Sequence, residues 1–339
     1  MKRTLVLIFI FTLIAAANPR IEFDKLDLDR DGVIQRSEAS QKAAFDRIDR
    51  DHNGVVTIAE FDEYSTPLPP PSPFEKSVHE DVIYYDHKKL STLNVKDKDL
   101  VSLDIYQPVQ GKKMPVVAYV HGGGWRRGDK RAVGHKPDFF LASGFLFVSI
   151  NYRLRPTVEI EILQQDVAAA VAWIYRNIQS FGGDPANIFL LGHSAGAHQV
   201  AIVGTRQDLL GAHGLDLSDI AGVVELDTMA LDVPLMMETG TSYYGPIFGI
   251  ESEKLIQVSP YHHIRPNQRT PAFMFVVADG NERKLMQSQR MAARLNSFNI
   301  HAEVIEAPNR THGTLNQSLG GMGDVYGAQI VTFMKRNLR

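Results

Sequence analysis

From about residue 76 onward, short runs of apolar, β-prone residues alternate with stretches whose apolar positions recur at helical spacing. "MPVVAYV" (114–120), "FLFVSI" (145–150), "IFLLG" (188–192) and "AFMFVV" (272–277) are nearly continuous in apolar residues, as strands covered on both faces are. Between them, "VEIEILQQDVAAAVAWIYRNIQSF" (158–181) is the clearest helix. Buried strands alternating with helices predict a mostly parallel, doubly wound α/β sheet with helices on both faces. Residues 205–265, with "MMETGTSYYGPIFG", are expected to form a lid or pocket wall. There Met236, Met237, Tyr243 and Tyr244 are available either to line a pocket or to pack in the core.

The pattern before residue 65 differs. Phe23 with Leu26, Phe45 with Ile48, and Phe61 with Tyr64 stand at i,i+3 spacing, which suits short helices. Between these pairs lie "DLDRDGVIQRSE" (27–38) and "DRDHNGVVTIAE" (49–60). In each, acidic or amide side chains stand at loop positions one, three and five, a glycine at six and a glutamate at twelve. Alternate residues aim oxygens at one point, the glycine permits the reversal, and the last glutamate closes bidentately. The loops resemble tandem EF-hands over residues 20–64, which implies structural calcium. The ligand set is then Asp27, Asp29, Asp31, Val33 (by its carbonyl) and Glu38 in the first loop. The second would use Asp49, Asp51, Asn53, Val55 (by its carbonyl) and Glu60. Ile34 and Val56, both at position eight, are expected to pair the loops through a short strand contact. The first loop holds four carboxylates and the second three, so the first site should bind more tightly. Because the hands share one helix, affinity is expected at about 10⁻⁴ to 10⁻³ M, the range of extracellular modules.

"STPLPPPSP" (65–73) is too rich in proline for a helix or central strand and reads as a stiff spacer. At the start of the chain, Lys2 and Arg3 precede an apolar run from about Leu5 to Ile14 and the small residues Ala15 to Ala17. That is the pattern of an export signal, and the run is shorter than the roughly 20 residues a spanning helix needs. The expected organisation is a signal peptide (1–17), a calcium module (18–64), a linker (65–75) and a catalytic domain (76–339). A secreted or periplasmic location without a stable membrane anchor follows. No cysteine occurs, so neither disulfides nor thiol chemistry contribute. With 339 residues, a net charge of -3 and no long basic run, the chain has no electrostatic footprint for nucleic acid.

Ser194, in "LLGHSAGAHQV", falls between a buried strand and the helix leaving it, with Gly192 and Gly196 where side chains would crowd a tight crossing. "HGGGW" (121–125) follows the strand "MPVVAYV" and offers unhindered backbone N–H groups, which an ester or amide hydrolase needs to stabilise its oxyanion. Gly123, Gly124 and Ala195 are the expected donors, and His121 is expected to hold the loop.

At this point the chain resembles the α/β-hydrolase family of esterases and lipases that includes hormone-sensitive-lipase-like, feruloyl-esterase-like and kynurenine-formamidase-like enzymes. The resemblance runs from about residue 80 to the end through "HGGGWRRGDK", "VSINYRLRP", "FGGDPANIFLLGHSAGAH", "VSPYHHI" and "THGTLNQSLGGMGD". "GHSAGAH" leans toward the feruloyl-esterase-like and formamidase-like branch. In this fold the order is serine, acid, histidine. His312 follows the strand "AEVIEAP" (302–308) and is the expected base. His193 must point away from the nucleophile, and His198 belongs to helix packing or the surface. His262 and His263 are expected at a rim or the surface, and His301 precedes its strand. Asp279, at the end of "AFMFVV", is the expected acid, with Glu282 as the runner-up because the spacing to the following "QS" helix departs from the family by one residue. Asp184 is a turn residue.

The resemblance implies two-step acyl transfer by Ser194, His312 and Asp279, without a catalytic cofactor. The expected protein is an exported serine carboxylesterase acting on short acyl or aryl esters, polysaccharide-linked ones among them. Two alternatives are an arylformamidase-like amide hydrolase and, from another class, a calcium-dependent binding protein with an inactive hydrolase fold. Acyl and alcohol specificity and the oligomeric state are not encoded in these motifs.

Overall fold

The computed structural model describes residues 23, 26–38, 54–57, 61, 75–93, 95 and 97–339. Two compact units emerge, one built on residues 1–71 and the other on residues 72–320 and 324–339. In the first, β1 (Val33–Gln35) and β2 (Val55–Thr57) pair antiparallel with Ile34 opposite Val56. Both side chains are buried with Phe23 and Phe61, whose rings meet edge to face at 5.6 Å. The two loops thus share a small apolar floor. The expected signal peptide and proline-rich linker lie outside the described residues, and so do Asp49, Asp51, Asn53 and Glu60.

The second unit is an eight-stranded sheet of β3 (Lys76–Ile83), β4 (Ser102–Pro108), β5 (Met114–Val120), β6 (Leu146–Ile150), β7 (Gly183–His193), β8 (Ile220–Leu226), β9 (Ala272–Ala278) and β10 (Ala302–Ala307). Their order is β10-β9-β8-β7-β5-β6-β4-β3. The strands from β6 through β10 pair parallel, while β4 runs antiparallel to both β6 and β3 at one edge. Alternation along each strand divides the core: Val116, Ala118 and Val120 of β5 face one apolar cluster, and Val117 and Tyr119 face the other. Helices Ile160–Asn177, Ala195–Val203 and Glu282–Ser297 cover the first face; Lys136–Ala142 and Val325–Arg336 cover the second. Among the described residues no helix is long and apolar enough to cross a membrane.

The stretch expected as a lid is only partly one. It contains β8, a fully buried strand between β7 and β9, before the helix Val233–Phe248. Glu225 and Gly222 interrupt the apolar run of that strand, which hid it from a reading by hydrophobic continuity. Met236 and Met237 are buried in the core cluster, whereas Tyr243 is 58% exposed.

Candidate active site

Parallel strands put their carboxyl ends at one edge of the sheet, and there the chain collects its reactive groups. Ser194 follows β7 directly and begins the helix Ala195–Val203 with φ 57 and ψ -116, a backbone conformation rarely adopted by residues with a Cβ. Its N–H donates to the carbonyl of Leu226 at 2.9 Å, tying the turn to the end of β8. A Cβ on Gly192 would collide with the carbonyl of Gly196, and one on Gly196 with the carbonyls of Val120 and His121. The elbow closes only with glycine at both places.

His312 opens the helix His312–Gln317 in the loop after β10. The Thr311 side chain caps this helix by accepting from the Thr314 N–H. Asn316 anchors the same helix from below: its side-chain oxygen accepts from the Tyr119 hydroxyl at 2.9 Å and its carbonyl from the Lys136 ammonium at 2.7 Å. Burial lowers that lysine to about 8. The His312 ring is thereby aimed at Ser194, with Nε2 2.9 Å from Oγ.

The carboxylate behind His312 is Asp227, whose Oδ2 lies 2.6 Å from Nδ1. Neither Asp279 nor Glu282 reaches the imidazole, so the expected acid is corrected to Asp227. Asp279 does directly follow β9, but its exposed side chain turns back to accept from the Gly280 N–H, and its own N–H donates to the carbonyl of Arg310. Asp227 directly follows β8, one strand nearer the nucleophile, with φ 61; Oδ1 accepts from the Ala278 N–H at 3.0 Å. Burial works to raise its carboxyl, but hydrogen bonds from His312 and Lys284 outweigh it and hold the group below the usual carboxylate range. The Lys284 ammonium bonds Oδ2 as well and stands 3.0 Å from Nδ1 of His312. Two residues before Asp227, burial pushes the Glu225 carboxyl well up, and it accepts from the Thr228 N–H.

The glycine loop after β5 meets the serine from the other side. A Cβ on Gly122 would stand 3.0 Å from that of Ser194, and Gly123 and Gly124 have φ values of 121 and 61. Among the described residues the N–H groups of Gly123 and Gly124 find no acceptor. Ala195 is the first residue of its helix, where N–H groups lack intrahelical partners. His121 holds the loop: its Nδ1 donates to the Gly122 carbonyl at 2.8 Å, its own carbonyl accepts from the Tyr152 hydroxyl at 2.9 Å, and its ring stacks on Tyr152. Trp125 pins the far end, its indole N–H donating to Nδ1 of His198 at 3.2 Å and its carbonyl accepting from the Arg155 N–H at 2.8 Å. Tyr244 and Phe248 pack edge-on against Trp125, and the Tyr243 hydroxyl overhangs Gly124.

The other histidines weighed as bases are engaged elsewhere. His198 is fully buried, donating from Nε2 to the carbonyl of Val258, and burial holds it at about 4. His193 turns away from the solvent and donates from Nε2 to the carbonyl of His312 at 2.8 Å; burial and the neighbouring His312 bring it to about 3. His262 approaches Asp232 and His263 donates to the carbonyl of Gln257, both remote from Ser194 in these contacts. His301 stacks near Phe333 and Asp184 bonds Ala186 and Asn187.

In the first acidic loop, carboxylate oxygens of Asp27, Asp29 and Glu38 lie within 4.8 Å of one another. Ca²⁺ takes oxygens at about 2.3–2.6 Å, so one ion between them is within reach of all three. Gly32 has φ 91 at the reversal. Its N–H and that of Asp31 donate to Asp27, while Glu38 accepts from Leu28, Asp29 and Gln35. The carboxylates are thus preset on backbone amides. The Asp31 carboxylate turns to Val33 and Gln35 and stands outside the trio.

A parallel sheet carrying the serine on the turn after β7 and the histidine after β10 is an α/β-hydrolase. The chain belongs to the BD-FAE family, whose profile matches residues 103–295, and an EF-hand profile matches residues 21–38 and 42–63. Over 123 residues it is 33% identical to Esterase-5B of Drosophila persimilis, covering 33% of this chain and 22% of that one. Over 113 residues it is 35% identical to phenmedipham hydrolase of Pseudarthrobacter oxydans, covering 31% and 23%. The chain therefore spans less than a quarter of the length of these curated relatives. In fold it is similar to a truncated carbohydrate esterase from gut microbiota (TM-score 0.64, 19% identity, 80% of this chain and 99% of that one). Thermogutta terrifontis esterase 2 is likewise similar (TM-score 0.58, 20% identity, 79% and 95%).

Proposed function

We propose that the protein is an exported serine carboxylesterase that hydrolyses short acyl or aryl esters, polysaccharide-linked ones among them, through Ser194, His312 and Asp227. The carrying observation is the unbroken relay from Ser194 Oγ through His312 Nε2 and Nδ1 to Asp227 Oδ2, at 2.9 and 2.6 Å. An ionised carboxylate only accepts hydrogen bonds, so Asp227 fixes the proton of neutral His312 on Nδ1 and leaves Nε2 free to accept from the serine.

In the first step Oγ attacks the ester carbonyl while Nε2 takes its proton. The carbonyl oxygen becomes an oxyanion against the N–H groups of Gly123, Gly124 and Ala195, and His312 returns the proton to the departing alcohol. Water then attacks the acyl-enzyme through the same groups, releasing the acid and restoring Ser194. The exposed Tyr243 stands beside Gly124 and offers an aromatic side chain next to the oxyanion donors. Calcium, held by Asp27, Asp29 and Glu38, would order the first loop by neutralising its carboxylates. The export part of the reading rests on the N-terminal pattern alone.

Hydrolysis of p-nitrophenyl acetate tests the reaction. The wild type should turn it over and label with a fluorophosphonate, and Ser194→Ala should do neither; retention of full activity by that variant would rule the reading out.

A further inference from the structure

Lys284 stands in the first turn of the helix Glu282–Ser297, where its backbone N–H is held by the Asn281 cap. A cation there faces the positive end of the helix dipole and gains nothing from it. Its compensation is Asp227, a carboxylate with no exposed side-chain surface, while Lys284 itself is 13% exposed. The contact is specific in its atoms: the ammonium and His312 Nδ1 both bond Oδ2 of Asp227, and the two nitrogens are 3.0 Å apart. With the proton on Nδ1, the imidazole N–H and the ammonium are two donors sharing one oxygen. The fixed cation therefore lies at the edge of the ring that must become cationic in the reaction.

We propose that Lys284 is a positioning residue of the triad that holds Asp227 Oδ2 in place and sets a fixed positive charge at the edge of the ring that must take up the serine proton. The inference rests on the serine-esterase reading. The groups facing His312 are Asp227 from β8, Lys284 from its helix, and the His193 ring from β7 at 4.6 Å. Asp227 is faced by His312, Lys284 and Glu225. Burial brings His193 to about 3 and pushes the Glu225 carboxyl up, and Lys136 acts on His193 from below, so among the described residues Lys284 is the cation in direct contact with the His312–Asp227 pair. A like charge at this range shifts a titration by on the order of one unit or more. The arrangement exchanges some base strength for activity on the acidic side.

The test is the pH profile of kcat/KM on p-nitrophenyl acetate for wild type, Lys284→Met, Lys284→Gln and Lys284→Arg. Removing the charge should move the acidic midpoint of activity upward by about one unit. Below both midpoints the neutral variants, each normalised to its own plateau, then lie about tenfold under wild type. Lys284→Arg should keep the wild-type midpoint. Lys284→Gln retains a donor for Asp227 and carries the test if Lys284→Met does not fold. Neutral variants whose kcat/KM falls uniformly across pH, with an unmoved midpoint, would overturn the proposal. A wild type that neither hydrolyses the ester nor labels at Ser194 would instead remove the esterase reading beneath it.

Discussion

His312 and Asp227 are 85 positions apart in the chain, yet the imidazole Nδ1 and the carboxylate Oδ2 meet at 2.6 Å. The contact predicts which acid matters. Asp227→Asn should lower kcat by about 10⁴, because an amide can donate to Nδ1 and so favour the wrong tautomer. Asp279→Asn and Glu282→Gln should stay within a few-fold of wild type, since neither side chain touches His312. Steady-state kinetics of the three variants on one ester decides between them, and an inactive Asp279→Asn beside an active Asp227→Asn would reverse the assignment.

The crossing of the nucleophile turn over β5 predicts a stability effect. A Cβ at Gly196 meets the carbonyls of Val120 and His121, and that backbone lies in the central strand pair of the sheet with nowhere to move. Gly196→Ala should cost about 3 kcal/mol or more. Gly211→Ala is the control: its nearest neighbour is the Gln207 amide at 3.6 Å, an ordinary contact at a helix end, and it should be neutral or slightly stabilising. Urea denaturation of both variants measures the difference.

The buried imidazoles predict a stability that declines in mild acid. His193 and His198 are held neutral in the folded protein, at about 3 and about 4, mainly by burial. His121, His213 and His263 are lowered in the same direction and first by burial. An unfolded histidine titrates near 6.5, so as pH falls the unfolded chain takes up protons first. The stability these groups contribute is present above about pH 6.5 and is lost between there and their folded values. At pH 5 the loss is on the order of 2 kcal/mol for each of His193 and His198. Thermal midpoints should hold steady from pH 8 to 7 and then drop before the carboxylates titrate; an unchanged midpoint at pH 5 would contradict the buried neutral state.

The carboxylate trio predicts a calcium site separable from catalysis. Glu38→Gln removes the charge of a group that three backbone amides preset, and Asp27→Asn does the same at the loop's start. Either change should weaken calcium binding by tenfold or more in calorimetry, by analogy with ligand-charge tuning in such loops. Ester hydrolysis by these variants should stay within twofold of wild type when measured with saturating calcium.

Much of the sheet was legible because buried parallel strands advertise themselves. β5, β6, β7, β9 and β10 coincide with apolar runs, and the helix after β6 is shorter than its pattern by only its ends. The elbow at Ser194 and the loop after β5 were legible for a steric reason, since a Cβ at Gly192, Gly196, Gly122 or Gly123 would run into backbone. β8 was not, because Glu225 and Gly222 break its apolar run although the strand is buried throughout. With that strand hidden, Asp227 had no strand to follow, and the search for an acid moved one strand too far, to Asp279. Lys284 was illegible for a related reason. A lysine in the first turn of a helix looks like surface until a buried carboxylate is placed opposite it. Which strand neighbours which is a tertiary fact that apolar runs do not carry.

The tryptophan that pins the glycine loop has a kinetic meaning. Trp125 is fixed by its indole to a buried imidazole and by its carbonyl to Arg155, and His121 secures the opposite end, so contacts within the protein alone hold the loop. A cradle already in shape spends no entropy on becoming ordered when a ligand enters. The first encounter and the first bond-making event would then follow without an intervening isomerisation, and the approach to steady state should show no lag.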